Sequence, residues 1–345
     1  MPTRRIGVEA ESFMQVEKKV ILAEPRSFCA GVRRAIAIIE LALERHGPPV
    51  YVRKEIVHNH YVVGLLRRRG ARFVDSEDEV PEGAICVFSA HGVSPQVREN
   101  AKSRQLDVID ATCPLVSKVH QEAKRYAVQG RTLLLVGHAD HEEVEGTYGH
   151  APRQTVIVET VEDAERLDLK PDTPVAYLTQ TTLSVDETRD IIGVLQRRFT
   201  DLLGPGTDDI CYASQNRQDA IKAIVPRSDL VLVVGSRNSS NSIRMVEVAR
   251  RHGVAAHLVP DVTAFDPAWL AEVSTVGVSA GASAPEILVD QLLEELAAHG
   301  YTDVELESVA QENVVFAPPA RLTATSAGDG GGDRREEYRG CWTPR

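Results

Sequence analysis

The sequence predicts an α/β fold: three similar α/β units with mainly parallel sheets, arranged around a shared centre. Three observations lead there. From Val20 to about Gly300, short apolar runs alternate with stretches of helical periodicity, the pattern of parallel strands joined by crossover helices. Three of the five cysteines, Cys29, Cys113 and Cys211, each stand where an apolar run gives way to a helical pattern. Those three are also about one small unit apart along the chain, so the units would meet where the thiols do.

Taken in order, residues 1–17 are polar and form an extension. Strands are expected at 19–23, 50–53, 84–89, 106–110, 132–136, 155–159, 174–178, 208–211, 230–234, 255–259 and 275–279. Helices are expected near 33–46, 60–69, 95–104, 115–129, 161–167, 185–199, 214–225, 241–252, 266–271 and 285–299. The units are drawn at 18–113, 114–210 and 211–300. A C-terminal strap (301–320) follows, with Val314-Val315-Phe316 as a possible extra strand or packing segment. The Gly- and Ser-rich tail 321–345 lacks the apolar content to bury a core and is expected to be disordered.

The middle cysteine shows the local logic best. The run Leu106–Ile109 is a short strand, Pro114 suits a first helical position, and Val116, Val119, Ala123, Tyr126 and Ala127 recur at helical spacing. Cys113 thus sits next to a helix N-terminus, where free N–H groups and the dipole favour a thiolate. Cys29 precedes the helix at 33–46 in the same way. Cys211 precedes another, with Ser214 a plausible N-cap.

At 345 residues the chain allows two or three domains, and 43% hydrophobic content suffices for packed cores. A net charge of −11 argues against a nucleic-acid partner, whose binding rests on Lys and Arg neutralising phosphates. Five cysteines without short-range pairing point to a reducing compartment rather than a disulfide framework. No apolar run approaches a membrane span and no signal-peptide core precedes residue 17, so a cytoplasmic protein without membrane insertion is expected.

The expected strand ends carry a consistent chemistry. Ser89-Ala90-His91-Gly92, Gly137-His138, Thr179-Gln180-Thr181-Thr182, Gly235-Ser236 through Ser239-Ser240-Asn241, and Ser279-Ala280-Gly281-Ala282-Ser283 offer hydroxyls, amides, His and Gly. In open α/β sheets ligands collect there, and such groups suit phosphate oxygens. Neither a Walker loop nor G-x-G-x-x-G is present. Ser184 and Ser283 each also fit a capping box, so simple helix capping is the alternative for either. His138-x-x-His141-Glu142-Glu143-Val144-Glu145 could hold zinc, form a solvated helix face, or relay protons, the last fitting best. A zinc hydrolase would use His138, His141, Glu145 and Cys113. Cys86 reads as core and Cys341 as a bystander. Three cysteines could also hold an iron–sulfur cluster with one iron lacking a thiolate.

Nine segments together resemble one family: Phe28-Cys29-Ala30-Gly31-Val32, Val57-His58-Asn59, Ser89-Ala90-His91-Gly92-Val93, Asp110 to Val116, Glu143 to Thr147, Thr179 to Ser184, Asp209 to Ala213, Ser239 to Ser242, and Gly281 to Pro285. Over about Val20–Phe316 the chain resembles the LytB family of 4-hydroxy-3-methylbut-2-enyl diphosphate reductases, which end the non-mevalonate isoprenoid pathway. The resemblance implies three lobes around one central 4Fe-4S cluster with three Cys ligands (Cys29, Cys113 and Cys211) and one open iron. It implies diphosphate binding by His58, His91, Ser239, Ser240, Asn241 and Ser283. Glu143 would deliver protons, with His141 and Thr181 beside it in both the relay and the substrate site. The substrate would be an allylic diphosphate, and electrons would come from an external protein such as ferredoxin or flavodoxin. A cluster-bearing sensor without catalysis is the third class. The chain departs from common family members at Ser27, Phe28, Glu142 and Ser214-Gln215.

Overall fold

The computed structural model describes residues 18–323. The expected extension 1–17 and the tail beyond residue 323, Cys341 included, lie outside the described residues. Thirteen strands are described: β1 (Lys19–Glu24), β2 (Val50–Arg53), β3 (Ala71–Val74), β4 (Ile85–Phe88), β5 (Asp107–Asp110), β6 (Thr132–Val136), β7 (Thr155–Val158), β8 (Val175–Thr179), β9 (Leu202–Leu203), β10 (Leu230–Val234), β11 (Ala255–Val259), β12 (Thr275–Ala280) and β13 (Asp303–Ser308). The helices among them are α1 (Ala30–His46), α2 (His60–Arg68), α3 (Pro95–Ser103), α4 (Pro114–Val128), α5 (Glu142–Tyr148), α6 (Val161–Arg166), α7 (Val185–Arg198), α8 (Tyr212–Ile224), α9 (Ser240–Arg251), α10 (Glu286–Ala298) and α11 (Ala320–Thr323).

Three parallel sheets result, with strand orders β3-β2-β4-β5, β7-β6-β8-β9 and β11-β10-β12-β1-β13. Every pairing is parallel. The first four positions of each sheet follow one plan, in which the second strand of the unit lies outside the first and the third and fourth follow on the other side. In the third sheet the fourth place is taken by β1, from the beginning of the chain. The three-unit expectation therefore needs new boundaries. Residues 19–24 belong with β10–β12 rather than with 18–113, because β1 pairs with β12 along Lys19–Leu22.

Each sheet is covered on both faces, so its central strands read as unbroken apolar runs. Along β10, Leu230, Leu232 and Val234 enter one core with β12 and α10, while Val231 and Val233 enter another with α8 and α9. The other two sheets likewise have separate clusters on each face. Cys86 is fully buried in one of them, with Phe88 and Val97, as its core reading requires.

Several elements differ from expectation. Residues 208–211 form a bend, not a strand, because the Asp209 carboxylate accepts from the Thr179 amide at 3.0 Å and from Lys118 at 3.2 Å. The fourth strand of that sheet is the two-residue β9 instead. Strands β3 and β13 were not expected; both lie at sheet edges, and β13 is largely polar. Val314–Phe316 is no strand, and 266–271 contains only a short 3-10 turn, Pro267–Leu270. The strap begins with β13 and ends with α11, whose Leu322 is buried against the core under α1, so residues 321–323 are not part of the expected disordered tail.

One buried cation ties the strap to the site-bearing loops. Arg217 on α8 is fully buried. Its guanidinium donates to the Ser27 carbonyl at 2.6 Å and the Ala213 carbonyl at 2.8 Å, and pairs with Glu312 at 2.9 Å. Removing one partner of such a pair leaves the other charge desolvated. Arg217→Met is therefore expected to lower the unfolding free energy by about 3 kcal/mol, seen as an earlier chemical-denaturation midpoint; an unchanged midpoint would show that the pair contributes nothing.

Candidate active site

The site lies where the carboxyl ends of the three sheets converge. Cys29, Cys113 and Cys211 are the N-cap residues of α1, α4 and α8. Their backbone N–H groups repeat one contact. Cys113 donates to the Ala90 carbonyl at 2.9 Å, Cys211 to Thr181 at 3.0 Å and Cys29 to Ala282 at 3.2 Å. Each acceptor stands two residues past the third strand of its sheet, β4, β8 or β12. This plan corrects the expectation for Ser214: it is the third residue of α8, and the Cys211 sulfur takes the capping position by accepting from the Ser214 amide at 3.3 Å.

The sulfurs are neighbours. A Cβ on Gly31 would stand 2.9 Å from the Cys113 sulfur and 3.8 Å from that of Cys29, so glycine there keeps the space between them open. Charges on Cys29 and Cys211 both act on Cys113. The three thiols are nonetheless not drawn around one point: among the described residues, only His58, His91 and Glu142 form a group with all donor atoms within 4.8 Å of one another. That looser spacing fits a metal–sulfur body larger than a single ion.

Burial pushes the Cys113 thiol up to about 12 and the Cys211 thiol up to about 11. The expected thiolate character is thus not produced by the helix N-termini alone. Desolvation exceeds the dipole, and thiolates here need cations beside them.

Glu143, one residue into α5, is buried. Its carboxylate accepts from the Thr181 amide at 2.6 Å and the Thr181 hydroxyl at 2.9 Å. Burial outweighs those two bonds and, helped by the nearby Asp209 charge, raises its carboxyl to about 7. His141 caps α5 by accepting from the Glu143 amide at Nδ1, 3.1 Å. Burial, reinforced by His91 and His58, pushes this imidazole down to about 2, so it is neutral with its proton on Nε2. The rings of His58 and His91 stack at 4.0 Å and 16°, with His141 edge-on to both at 5.3 and 5.8 Å.

Beside the histidines, α9 opens with Ser239 as N-cap, its hydroxyl accepting from the Ser242 amide at 3.4 Å. Ser240, Asn241 and Ser242 are buried. The Asn241 carbonyl oxygen accepts from the Ala282 amide at 2.8 Å, and its amide reaches the Ser214 hydroxyl at 3.3 Å, itself 3.2 Å from the Cys211 sulfur. Ser283 donates to the His58 carbonyl at 3.0 Å and lies 3.4 Å from the Ser239 hydroxyl. Ser283 is therefore not a cap; Pro285 holds that position for α10. Ser184 does occupy the N-cap of α7, without a side-chain capping bond. Close backbone approach is enforced by glycine here as well, since a Cβ on Gly281 would stand 2.0 Å from the Ser242 hydroxyl. A helix N-terminus, hydroxyls and imidazoles make a cradle for an anion.

The structure thus brings together all twelve residues singled out by the sequence. It separates the zinc alternative: His138 lies 2.8 Å from Arg244 and 3.6 Å from Glu159, while the largely exposed Glu145 faces Arg53 at 3.8 Å. The His58–His91–Glu142 group is also a poor chelate, because stacked rings direct their in-plane lone pairs alongside each other rather than at one ion. Sequence reasoning missed Glu55, took Asn238 and Gln180 only as strand-end donors, and took Asp209 only as part of the segment before Cys211. Glu55 is 3.4 Å from His58 and Asn238 donates to Glu55 at 2.8 Å; Gln180 donates to Ser240 at 3.3 Å. Glu55 carried no signal beyond lying three residues before His58.

Comparison with known proteins agrees with this geometry. The profile of the family described as LytB protein matches residues 20–297. A 4-hydroxy-3-methylbut-2-enyl diphosphate reductase of Nocardia farcinica (strain IFM 10152) is 57% identical over 309 residues, covering 89% of this chain and 92% of the relative. A second such reductase, from Bradyrhizobium diazoefficiens, is 55% identical over 307 residues, 89% of this chain and all of the relative. The solved E-1-hydroxy-2-methyl-but-2-enyl-4-diphosphate reductase from Plasmodium falciparum superposes with a TM-score of 0.87 at 38% identity, covering 89% of this chain and 97% of that one. With a matching family profile, sequence and fold in hand, the chain belongs to the LytB family.

Proposed function

We propose that this chain removes the allylic hydroxyl of 4-hydroxy-3-methylbut-2-enyl diphosphate with two electrons and two protons, giving isopentenyl and dimethylallyl diphosphate. The observation that carries this reading is the meeting of three cysteine-headed helices, one protonatable buried carboxyl and one anion cradle at the same sheet ends. Family membership and relatives that bear this activity in their names support it.

The donor set fits an iron–sulfur cluster: three sulfurs on three sheets, open space kept by Gly31, and thiols that need neighbouring cations to ionise. Cys29, Cys113 and Cys211 would hold a 4Fe-4S cluster and leave one iron without a protein ligand. When bound, such a cluster supplies electrons one at a time and a Lewis-acidic iron at its open corner. Ser239, Ser240, Asn241 and Ser283, with His58 and His91, grip the diphosphate. That remote binding fixes the reacting end of the substrate. Glu143 holds a proton at its carboxyl oxygen for the departing hydroxyl, and Thr181 orients that carboxyl by two hydrogen bonds. His141, neutral, offers its Nε2–H to the same region. No flavin or nicotinamide fingerprint occurs in the sequence, so the reading includes an external electron-transfer protein such as ferredoxin or flavodoxin. Four free cysteines among the described residues suit the reducing cytoplasm, and no described helix is long and apolar enough to cross a membrane.

Two experiments test this. Cys113→Ser, purified anaerobically, is expected to lose most iron and acid-labile sulfide; unchanged content would remove Cys113 from the ligand set. Glu143→Gln should keep the cluster absorbance and lose about a hundredfold in turnover. In the unsubstituted enzyme Glu143 carries its proton below about pH 7 and loses it above, so turnover falls as pH rises through that value. Because the Thr181 hydroxyl stabilises the ionised form, Thr181→Val should move the fall to higher pH. A pH profile unaltered by both substitutions would take proton delivery away from Glu143.

A further inference from the structure

The anion cradle contains neither lysine nor arginine among the residues assigned to it, although a diphosphate brings several negative charges. Histidines are then its source of positive charge, and two stacked imidazoles repel one another when both are protonated. The structure answers this with two carboxylates, one behind each ring. His91 Nδ1 lies 3.0 Å from a Glu142 carboxylate oxygen, and His58 Nδ1 lies 3.4 Å from a Glu55 oxygen. Glu55 is held in turn by the Asn238 amide at 2.8 Å. The Glu142 contact places a proton on Nδ1 of His91. Nδ1 of His58 lies 3.4 Å from both the Glu55 carboxylate and the Asn238 amide, and points its proton at Glu55 when the ring is charged. Nε2 of each ring is thus left for the ligand.

We propose that Glu55 and Glu142 are positioning residues that align the His58–His91 pair and let both rings carry charge against a bound diphosphate. The inference rests on the reading above that these two histidines grip the diphosphate. The local charges are consistent with it. Without a ligand, burial and then His58 hold His91 below the usual histidine range, opposed by Glu142 and Glu55. Burial tends to raise Glu142, but the bond and charge of His91, the charge of His58 and that of Lys54 hold it below the ordinary carboxylate range. Glu55 is likewise raised by burial and brought lower on balance by His58, Asn238 and His60. The remaining titratable neighbours of the ring cluster are His141, neutral, His138, which acts on His141, and the buried Glu143, on which the charge of His58 acts. Both glutamates therefore stay ionised while the pair gains protons.

The test uses cluster-loaded protein and two probes, inorganic diphosphate by calorimetry and the allylic diphosphate by kinetics. Glu142→Gln keeps a hydrogen-bond acceptor but drops the charge. It is expected to weaken inorganic diphosphate about tenfold, to place most of the kinetic loss on KM, and to move the loss of affinity on raising pH to lower pH by about one unit. Glu55→Gln should act in the same direction, and Glu142→Ala more strongly than Glu142→Gln. Nitrogen-15 shifts of the imidazoles in the diphosphate complex should show protonated rings in the unsubstituted enzyme. Affinity and pH profile unchanged in both Gln variants, with His91→Ala losing affinity, would overturn the role of the carboxylates and leave the histidine grip standing. If His91→Ala also binds inorganic diphosphate as tightly as the unsubstituted enzyme, the grip itself is wrong.

Discussion

The structure depends on one repeated backbone hydrogen bond, from the amide of each N-capping cysteine to the carbonyl two residues beyond the third strand of its sheet. That bond fixes where a chain segment leaving one sheet turns into the helix that leads away. Made three times, it points three helix N-termini and three sulfurs towards one region. It also desolvates that region, since the loops carrying the donors and acceptors pack together there. The raised thiols, the raised Glu143 and the depressed His141 are the electrostatic mark of that closure.

The closed region handles charge in an uncommon way for an anion site. Its polar groups are mostly neutral hydroxyls and amides at a helix start, which are already oriented and need no counter-ion. Ser239, Asn241 and Ser283 also bond to one another's surroundings, so the cradle is fixed before a ligand arrives. On the proposed reading, positive charge enters through the stacked His58 and His91 imidazoles. An overall charge of −11 is then no obstacle, because the recognition is local.

Much of this was legible in the sequence, and the failures have physical causes. Central strands such as β10 and β6 are continuous apolar runs and were placed within a residue. The edge strands β5, β7 and β11 were placed as well, but β3, β9 and β13 were not: β13 exposes Val304 and Leu306, and β9 has only two residues. The segment 208–211 looked extended because it is polar and then apolar, yet the Asp209 side chain, not its backbone, completes the end of β8. The residues singled out for the site fall together in the structure because their chemistry recurs at every strand end. The ionisation of Cys113 and Cys211 was misjudged, since a helix terminus is visible in a sequence and the depth of burial is not. Glu142 stood out only as a residue unusual for its position; its contact with His91 depends on how two sheets approach each other, which no local pattern encodes.

The place of β1 has a consequence for how the protein is made. The Cys29 amide and the strand before it find their partners in β12 and Ala282, at nearly the opposite end of the chain. A ribosome releases the first strand long before its sheet exists. The second and third cysteines can be positioned while synthesis continues, but the ring of three closes last, by capture of the waiting N-terminal segment. Maturation of any metal centre held by all three must therefore wait until β12 and Ala282 are in place, and an unpaired apolar strand has to be kept from aggregating until then.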